Sequence, residues 1–508
     1  MCGIIGLIQC RFEQKEAPIK TRCTSMTLYQ GLLSLQHRGQ DAAGILASEV
    51  KDNLFCEKKS QGLIKDVFAK ENFQSLKGNM ALGHNRYTTV GGSHLEDTPP
   101  FQRKGPFGLP MGIVHNGNLV NYFQLRKDLL YKNGKSLLGQ NDGEALLALF
   151  QNSFIKQLEG TPKSVDQIDF SFLKKVVQNV AERAKGGYAF LIMMKGIGLL
   201  AFRDPHGMRP LVMGRKGKEC YSFSSETTAL DEIGHKYMRS VEPGEVVFVN
   251  EKGDIFHSLL GERPEHSPAP CMFEWVYFSS HKSQIKGRSI KEKRIIFGKV
   301  LGQKIRKARG HRLGIDVICA VPETGQDAAF GASQVLGLPF SPGILKNGPA
   351  GRTFILPESK RERVLKKKFR VDEKIVKGQS LLLVDDSLVR GATLRELIKD
   401  LYKAGAKDLT FAFSCPPIKY GCYYGVDFPD QKELLASGRT VKQMSDHLGV
   451  KEFFFLSEEE LTKVLEEMPH CFACVNGHYP SSIEDGDLFA KQRKKQKQNV
   501  EVIPRTIC

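Results

Sequence analysis

The sequence lacks any run of apolar residues approaching the roughly 18 needed to cross a membrane. Its first apolar run, Ile4 to Ile8, is short and has no basic stretch before it, so nothing resembles a secretory signal. Repeats of solenoid type are missing. Aromatic RNA-binding motifs and zinc-finger spacings are missing too, although the formal net charge is +18. These gaps point to a cytoplasmic protein with no membrane partner and no nucleic acid expected.

What is present is an ordinary soluble composition, 41% apolar and 26% charged, in 508 residues, enough for two or three domains with their own cores. Twelve cysteines in such a chain suit reduced thiols, a metal site or a nucleophile better than a disulfide framework. The positive charge gathers in "KRERVLKKKFR" (360–370) and "KQRKKQK" (491–497). A phosphate-rich small ligand accounts for the first cluster, and a solvated chain end for the second.

Short apolar runs between Gly-rich turns (Ala189 to Met193, Leu199 to Phe202, Val246 to Val249) suggest an α+β sandwich in the first half. The Pro-rich stretch "GERPEHSPAP" (261–270) reads as a boundary. Beyond it strand and helix alternate. Ile315 to Val321 is a buried strand candidate, 327–336 a helix, and Ser380 to Val384 another strand. Leu394, Leu397, Ile398 and Leu401 then share a helical face, stopped near Gly405. That alternation predicts a parallel sheet with helices on both faces. The expected division is 2–262, 263–475 and a polar basic tail, 476–508.

The sharpest local signal is "LLLVDDSLVRGATL" (381–394): an apolar strand, two acids, a small-residue loop and a helix. Loop N–H groups at a helix N-terminus favour a phosphate, and paired carboxylates suit the vicinal hydroxyls of a ribose. These residues match the signature of type I phosphoribosyltransferases, which bind 5-phosphoribosyl-1-pyrophosphate (PRPP). The resemblance implies that Asp385, Asp386, Ser387, Val389, Arg390, Gly391 and Thr393 contact PRPP. It also implies Mg²⁺ bound with PRPP at Asp385 and Asp386.

At the other end stands "MCGIIG". With Met1 removed, Cys2 would carry a thiol and an α-amine on one residue, a nucleophile with its own base. "LQHRGQDAAGI" (35–45), "GHNRYTT" (83–89), "HNGNLVN" (115–121) and "NDGEALL" (141–147) follow. Together they resemble the N-terminal-nucleophile glutamine amidotransferases. With "RDPHGMRPL" (203–211) and "SSETTALD" (224–231) the resemblance narrows to the amidophosphoribosyltransferases of purine synthesis.

That resemblance implies a four-layer αββα glutaminase domain followed by an α/β phosphoribosyltransferase domain. It makes Cys2 the nucleophile, Asn116 and Gly117 the oxyanion hole, and Arg86 and Asp142 the glutamine-binding pair. Methionine excision alone would expose the nucleophile. Glu323, Thr324, Lys346, Arg352 and Thr353 join the PRPP contacts. The implied reaction makes 5-phosphoribosylamine, pyrophosphate and glutamate. Purine nucleotides are implied as inhibitors, and a homo-oligomer, dimer or tetramer, as the assembly.

Cys271, Cys422, Cys471 and Cys474 match the branch that carries a [4Fe–4S] cluster, with Zn²⁺ on the same sulfurs as the alternative. Four stretches depart from the family pattern. Gly325 replaces a frequent serine, Ala392 a threonine, Gly348-Pro349-Ala350 an Arg-Tyr-Val and Ser280 to Lys282 an Arg-Pro-Asp. These departures support a second reading, a paralogue with weakened acceptor chemistry that binds PRPP or nucleotides as a regulator.

Overall fold

The computed structural model describes residues 1–10, 24–71, 73–92, 94–131, 137–158, 164–261, 267–346, 369–428, 431–481 and 488–495. Contacts divide the chain into two units. The first comprises Met1–Pro270, Tyr423–Asp427 and the chain from Tyr479 on; the second comprises Cys271–Cys422 and Phe428–His478.

The first unit is built on two antiparallel sheets. The seven-stranded one runs Lys236–Ser240, Val212–Lys216, Cys220–Ser224, Gly3–Gln9, Met80–Arg86, Ala42–Lys51, Leu54–Gln61. The six-stranded one runs Ile255–Leu259, Glu245–Asn250, Gly198–Arg203, Gly186–Met194, Pro110–Leu119, Phe101–Lys104. The strand "GIIGLIQ" is apolar without alternation because both of its faces are covered. Ile4 and Ile8 join Leu82, Val114, Leu191 and Val247 in the layer between the sheets. Ile5 and Leu7 point the other way, towards Leu28 and Leu32 of the helix Thr24–Ser34. On the opposite side, Phe190, Ile192 and Met194 pack with Leu146, Phe150 and Val177 from the helices Asp142–Gln157 and Phe170–Arg183. The four-layer αββα sandwich expected from the resemblance is present.

The second unit centres on a four-stranded parallel sheet, ordered Val317–Ala320, Ser380–Asp385, Asp408–Phe413, Glu452–Phe455. The central strand needs apolar residues on both faces, which "LLLV" supplies. In the helix Ala392–Lys403 the buried residues are Leu394, Leu397, Ile398 and Leu401, the stripe read from the sequence.

Part of the expected polar tail is folded. Residues 488–495 include a helical segment, and Phe489 is buried in the core of the first unit against Phe123, 5.9 Å between ring centroids. Burying one such aromatic contributes about 2–3 kcal/mol, enough to anchor a segment that composition alone marks as solvated. Tyr423 packs tilted against Tyr479, 4.9 Å between ring centroids, and Ser481 donates from its N–H and hydroxyl to the Tyr424 hydroxyl at 3.1 and 2.9 Å.

Candidate active site

Cys2 opens the central strand of the seven-stranded sheet, and the strand Pro110–Leu119 of the other sheet delivers Asn116 and Gly117. Asn116 Oδ1 accepts the Cys2 N–H at 3.2 Å, which fixes the amide with its Nδ2 turned away as a donor. That Nδ2 is fully buried and has no partner among the described residues, the condition of a group awaiting an acceptor. Gly117 has φ +141°, and a Cβ there would overlap the Gly187 carbonyl, so only glycine closes this turn of the backbone. Cys2, Arg86, His115, Gly117 and Asp142 line one pocket.

Burial pushes the Cys2 thiol up from its ordinary value. The N-terminal charge, the Tyr87 N–H and the Arg86 guanidinium draw it back down. Tyr87 N–H reaches the sulfur at 3.4 Å. A thiol held neutral by burial needs a base at hand to become a nucleophile.

Arg86, 1% exposed, ends the strand Met80–Arg86 and donates to the carbonyls of Gly92 at 2.7 Å and Val90 at 3.0 Å. A guanidinium carries five N–H groups, so these two contacts orient it without exhausting it. Asp142, at the first turn of the helix Asp142–Gln157, accepts the Leu119 N–H at 3.0 Å and lies 3.9 Å from His115 Nδ1. Asn141 caps the same helix by accepting from the Gly143 N–H. The structure thus brings all five glutaminase residues expected from sequence to one place.

Two groups were missed. Asp97 accepts the N–H groups of Gly92 at 2.6 Å and Gln140 at 2.5 Å, tying together the loops that carry Arg86's partners and Asp142. Arg38, wholly buried, donates from Nε to the Cys2 carbonyl at 3.0 Å and from Nη1 to Glu226 at 2.5 Å. Arg38 and Glu226 both lay inside motifs singled out in the sequence, which was the only available signal. Burial alone would raise the Glu226 pKa, but His37 and Arg38 hold it well below the usual carboxylate range.

In the second unit the strand Ser380–Asp385 ends at the paired acids, as open α/β sheets place their ligand sites. Asp386 accepts the Ser387 hydroxyl at 2.5 Å and the Thr324 hydroxyl, and Asp385 accepts the Asp386 N–H at 2.8 Å. Gly391 has φ +78° at the N-cap of the helix Ala392–Lys403 and leaves the first N–H groups without a side-chain cap. Such a terminus is suited to a phosphate. Val389 is tied down through its carbonyl, which accepts the Leu435 N–H at 2.8 Å, and Arg390 pairs with Glu433 at 3.3 Å. Glu323, exposed, pairs with Lys346 at 3.3 Å. Arg352 and Thr353 lie outside the described residues, as does Pro349.

Gly325 reads differently in three dimensions. A Cβ there would overlap the Val384 carbonyl and come within 2.8 Å of the Val321 carbonyl. The glycine lets the helix Gln326–Leu336 start directly beside the strand that carries the acids.

Mg²⁺ is ordinarily held by one or two carboxylates together with substrate phosphates, and Asp385 with Asp386 offers that many. For the cysteines the fit is incomplete. Cys271 and Cys471 face each other across an isolated parallel bridge. Burial first, then Cys415, Cys422, Cys271 and Cys471, push the Cys474 thiol well above its ordinary value. No three His, Cys, Asp or Glu side chains among the described residues are arranged to hold a metal ion.

Residues 108–232 match the glutamine amidotransferase domain family. The amidophosphoribosyltransferase of Haemophilus influenzae is 37% identical over 524 residues, covering 99% of each chain. That of Methanocaldococcus jannaschii is 36% identical over 505 residues, covering 97% of this chain and all of the other. Among solved structures, the glutamine PRPP amidotransferase of B. subtilis complexed with ADP and GMP superposes with a TM-score of 0.78 at 33% identity, covering 95% of this chain and 98% of its own. Similarity of this level over whole chains, with the two sites above in the expected folds, shows that the chain belongs to the amidophosphoribosyltransferase family.

Proposed function

We propose that the chain runs the glutamine-dependent amidophosphoribosyltransferase reaction as two half-reactions, with the residue roles that follow. The observation that carries the glutaminase half is the buried, unpartnered Asn116 Nδ2 beside Cys2. Once Met1 is removed, the Cys2 α-amine takes the thiol proton and the sulfur attacks the glutamine carboxamide. Asn116 Nδ2 and the Gly117 N–H receive the oxyanion. Arg86 binds the substrate α-carboxylate and Asp142 its α-ammonium. Ammonia leaves with the α-amine's proton, and water releases glutamate from the thioester.

In the acceptor half, ammonia attacks C1 of PRPP as the C1–O bond to pyrophosphate breaks, giving 5-phosphoribosylamine. The uncapped turn after Gly391, with Ser387, Val389, Arg390 and Thr393, takes the 5-phosphate. Asp385 and Asp386 hold the ribose hydroxyls and, with PRPP, Mg²⁺, which would neutralise the leaving pyrophosphate. Glu323, Thr324 and Lys346 lie on the pyrophosphate side, with Arg352 and Thr353 completing the set.

Cys271, Cys422, Cys471 and Cys474 are read, from the resemblance alone, as ligands of a [4Fe–4S] cluster, with zinc the alternative; no step depends on it. The solved relative bound to ADP and GMP supports purine nucleotides as inhibitors. A homo-oligomer, dimer or tetramer, and a cytoplasmic location complete the reading. Among the described residues no helix is long and apolar enough to cross a membrane.

The test is glutamate release from glutamine with and without PRPP, in the wild type and Cys2→Ala. The reading expects release that PRPP stimulates and the variant loses. Release that survives Cys2→Ala overturns it.

A further inference from the structure

The oxyanion-hole glycine is touched by a segment from more than 300 positions later in the chain. Tyr423–Asp427 belongs by its contacts to the first unit. Gly425, at φ +109°, lies so close that a Cβ on it would sit 3.3 Å from Gly117 Cα and 3.4 Å from Arg209 Nη2. Arg209, wholly buried, donates from that Nη2 to the Tyr424 carbonyl.

The loop presenting Arg209 is itself fixed to the strand beside Gly117. Asp204 accepts the N–H groups of His206 at 2.9 Å, Met208 at 2.9 Å and Tyr188 at 3.1 Å. Arg203 Nε donates to the Arg209 carbonyl at 2.7 Å. Tyr188 is the cross-strand partner of Gly117. The contacts, with the chain bond from Met208 to Arg209, therefore close a ring: Gly117, Tyr188, Asp204, Met208, Arg209, Tyr424, Gly425 and back to Gly117. The Tyr424 hydroxyl, bonded to Ser481, holds the far side of the segment.

We propose that Gly425, gripped through Tyr424 by Arg209, is a positioning residue that fixes the direction of the Gly117 N–H in the oxyanion hole. The inference rests on the assignment of Asn116 and Gly117 to that hole. A backbone N–H aimed at an oxyanion acts only when charge develops, and its misdirection removes transition-state stabilisation without altering glutamine binding. A side chain at Gly425 pushes on Gly117 directly. Loss of the Arg209 donor releases the segment instead.

The test is steady-state glutamate release by the full-length protein with PRPP present, for Gly425→Ala, Arg209→Met and Arg209→Lys, beside Asn116→Ala. Gly425→Ala and Arg209→Met are expected to lower kcat between about 10-fold and 100-fold, with the KM for glutamine within about threefold. Arg209→Lys, which keeps a donor, should recover part of kcat. Should Gly425→Ala fail to fold, the Arg209 pair decides. Wild-type kcat in Gly425→Ala or Arg209→Met, or a loss expressed in KM, overturns the inference. If Asn116→Ala has lost kcat in that case, the hole itself stands; if Asn116→Ala also turns over at the wild-type rate, the hole assignment fails.

Discussion

Arg38 donates from Nε to the carbonyl oxygen of Cys2 at 3.0 Å, while its Nη1 is bonded to Glu226 at 2.5 Å. The residue read as the nucleophile is thus held at both ends, by Asn116 at its nitrogen and by Arg38 at its carbonyl. Arg38→Met leaves the buried Glu226 carboxylate with His37 but without its guanidinium partner, at a cost of about 1–3 kcal/mol of stability. Arg38→Met/Glu226→Gln should recover most of that stability in chemical denaturation. It should still show glutamate release reduced about tenfold, because no donor then holds the Cys2 carbonyl. Full recovery of activity along with stability would reduce Arg38 to a structural ion pair.

At Gly325 the expected gain from the family's usual residue is reversed. A serine would add a hydroxyl towards the acceptor site, but its Cβ meets the Val384 and Val321 carbonyls. Gly325→Ser should destabilise the protein by about 1–3 kcal/mol, as overpacking does, and should not raise the rate of pyrophosphate release. A serine variant of unchanged stability would show that this backbone approach yields easily.

Histidines whose burial lowers their pKa contribute a pH dependence, His84 and His235 among them. Burial pushes His84 down to about 3 and His235 down to about 4, against roughly 6.5 in an unfolded chain. The unfolded state therefore takes up protons below about pH 6.5 that the folded state refuses. Stability is full above that pH and falls as pH drops towards the folded values, by about 1.4 kcal/mol per unit for each histidine. His235 accepts from or donates to Ser222 at 2.8 Å, so His235→Gln can keep that bond without the titration. Denaturation at pH 7 and pH 5 should show a loss smaller by about 2 kcal/mol in His235→Gln than in the wild type. Equal losses would contradict the assignment.

The sequence made legible what depends on local pattern. "LLLVDD" had to be a strand ending in acids, and the stripe from Leu394 to Leu401 had to be a buried helical face. The glutaminase motifs could be read one at a time because each sits on its own strand or helix end. Contacts that depend on distant partners stayed hidden: Arg38 on Cys2, Asp97 between two loops, Gly425 on Gly117. Gly325 looked like a missing hydroxyl because a sequence does not show which carbonyl lies over a glycine. Phe489 was masked by its basic neighbours, although one buried ring outweighs a solvated charge run in deciding where a segment lies.

The central claim is that Cys2 serves only the glutamine half-reaction and that a separate acceptor site uses ammonia. Pyrophosphate release from PRPP, measured in Cys2→Ala with either glutamine or ammonium salt as nitrogen source, tests it most directly. The account predicts no release above background with glutamine and release close to the wild-type rate with ammonia. Loss of both activities in a folded Cys2→Ala protein, or survival of the glutamine-dependent one, would contradict it.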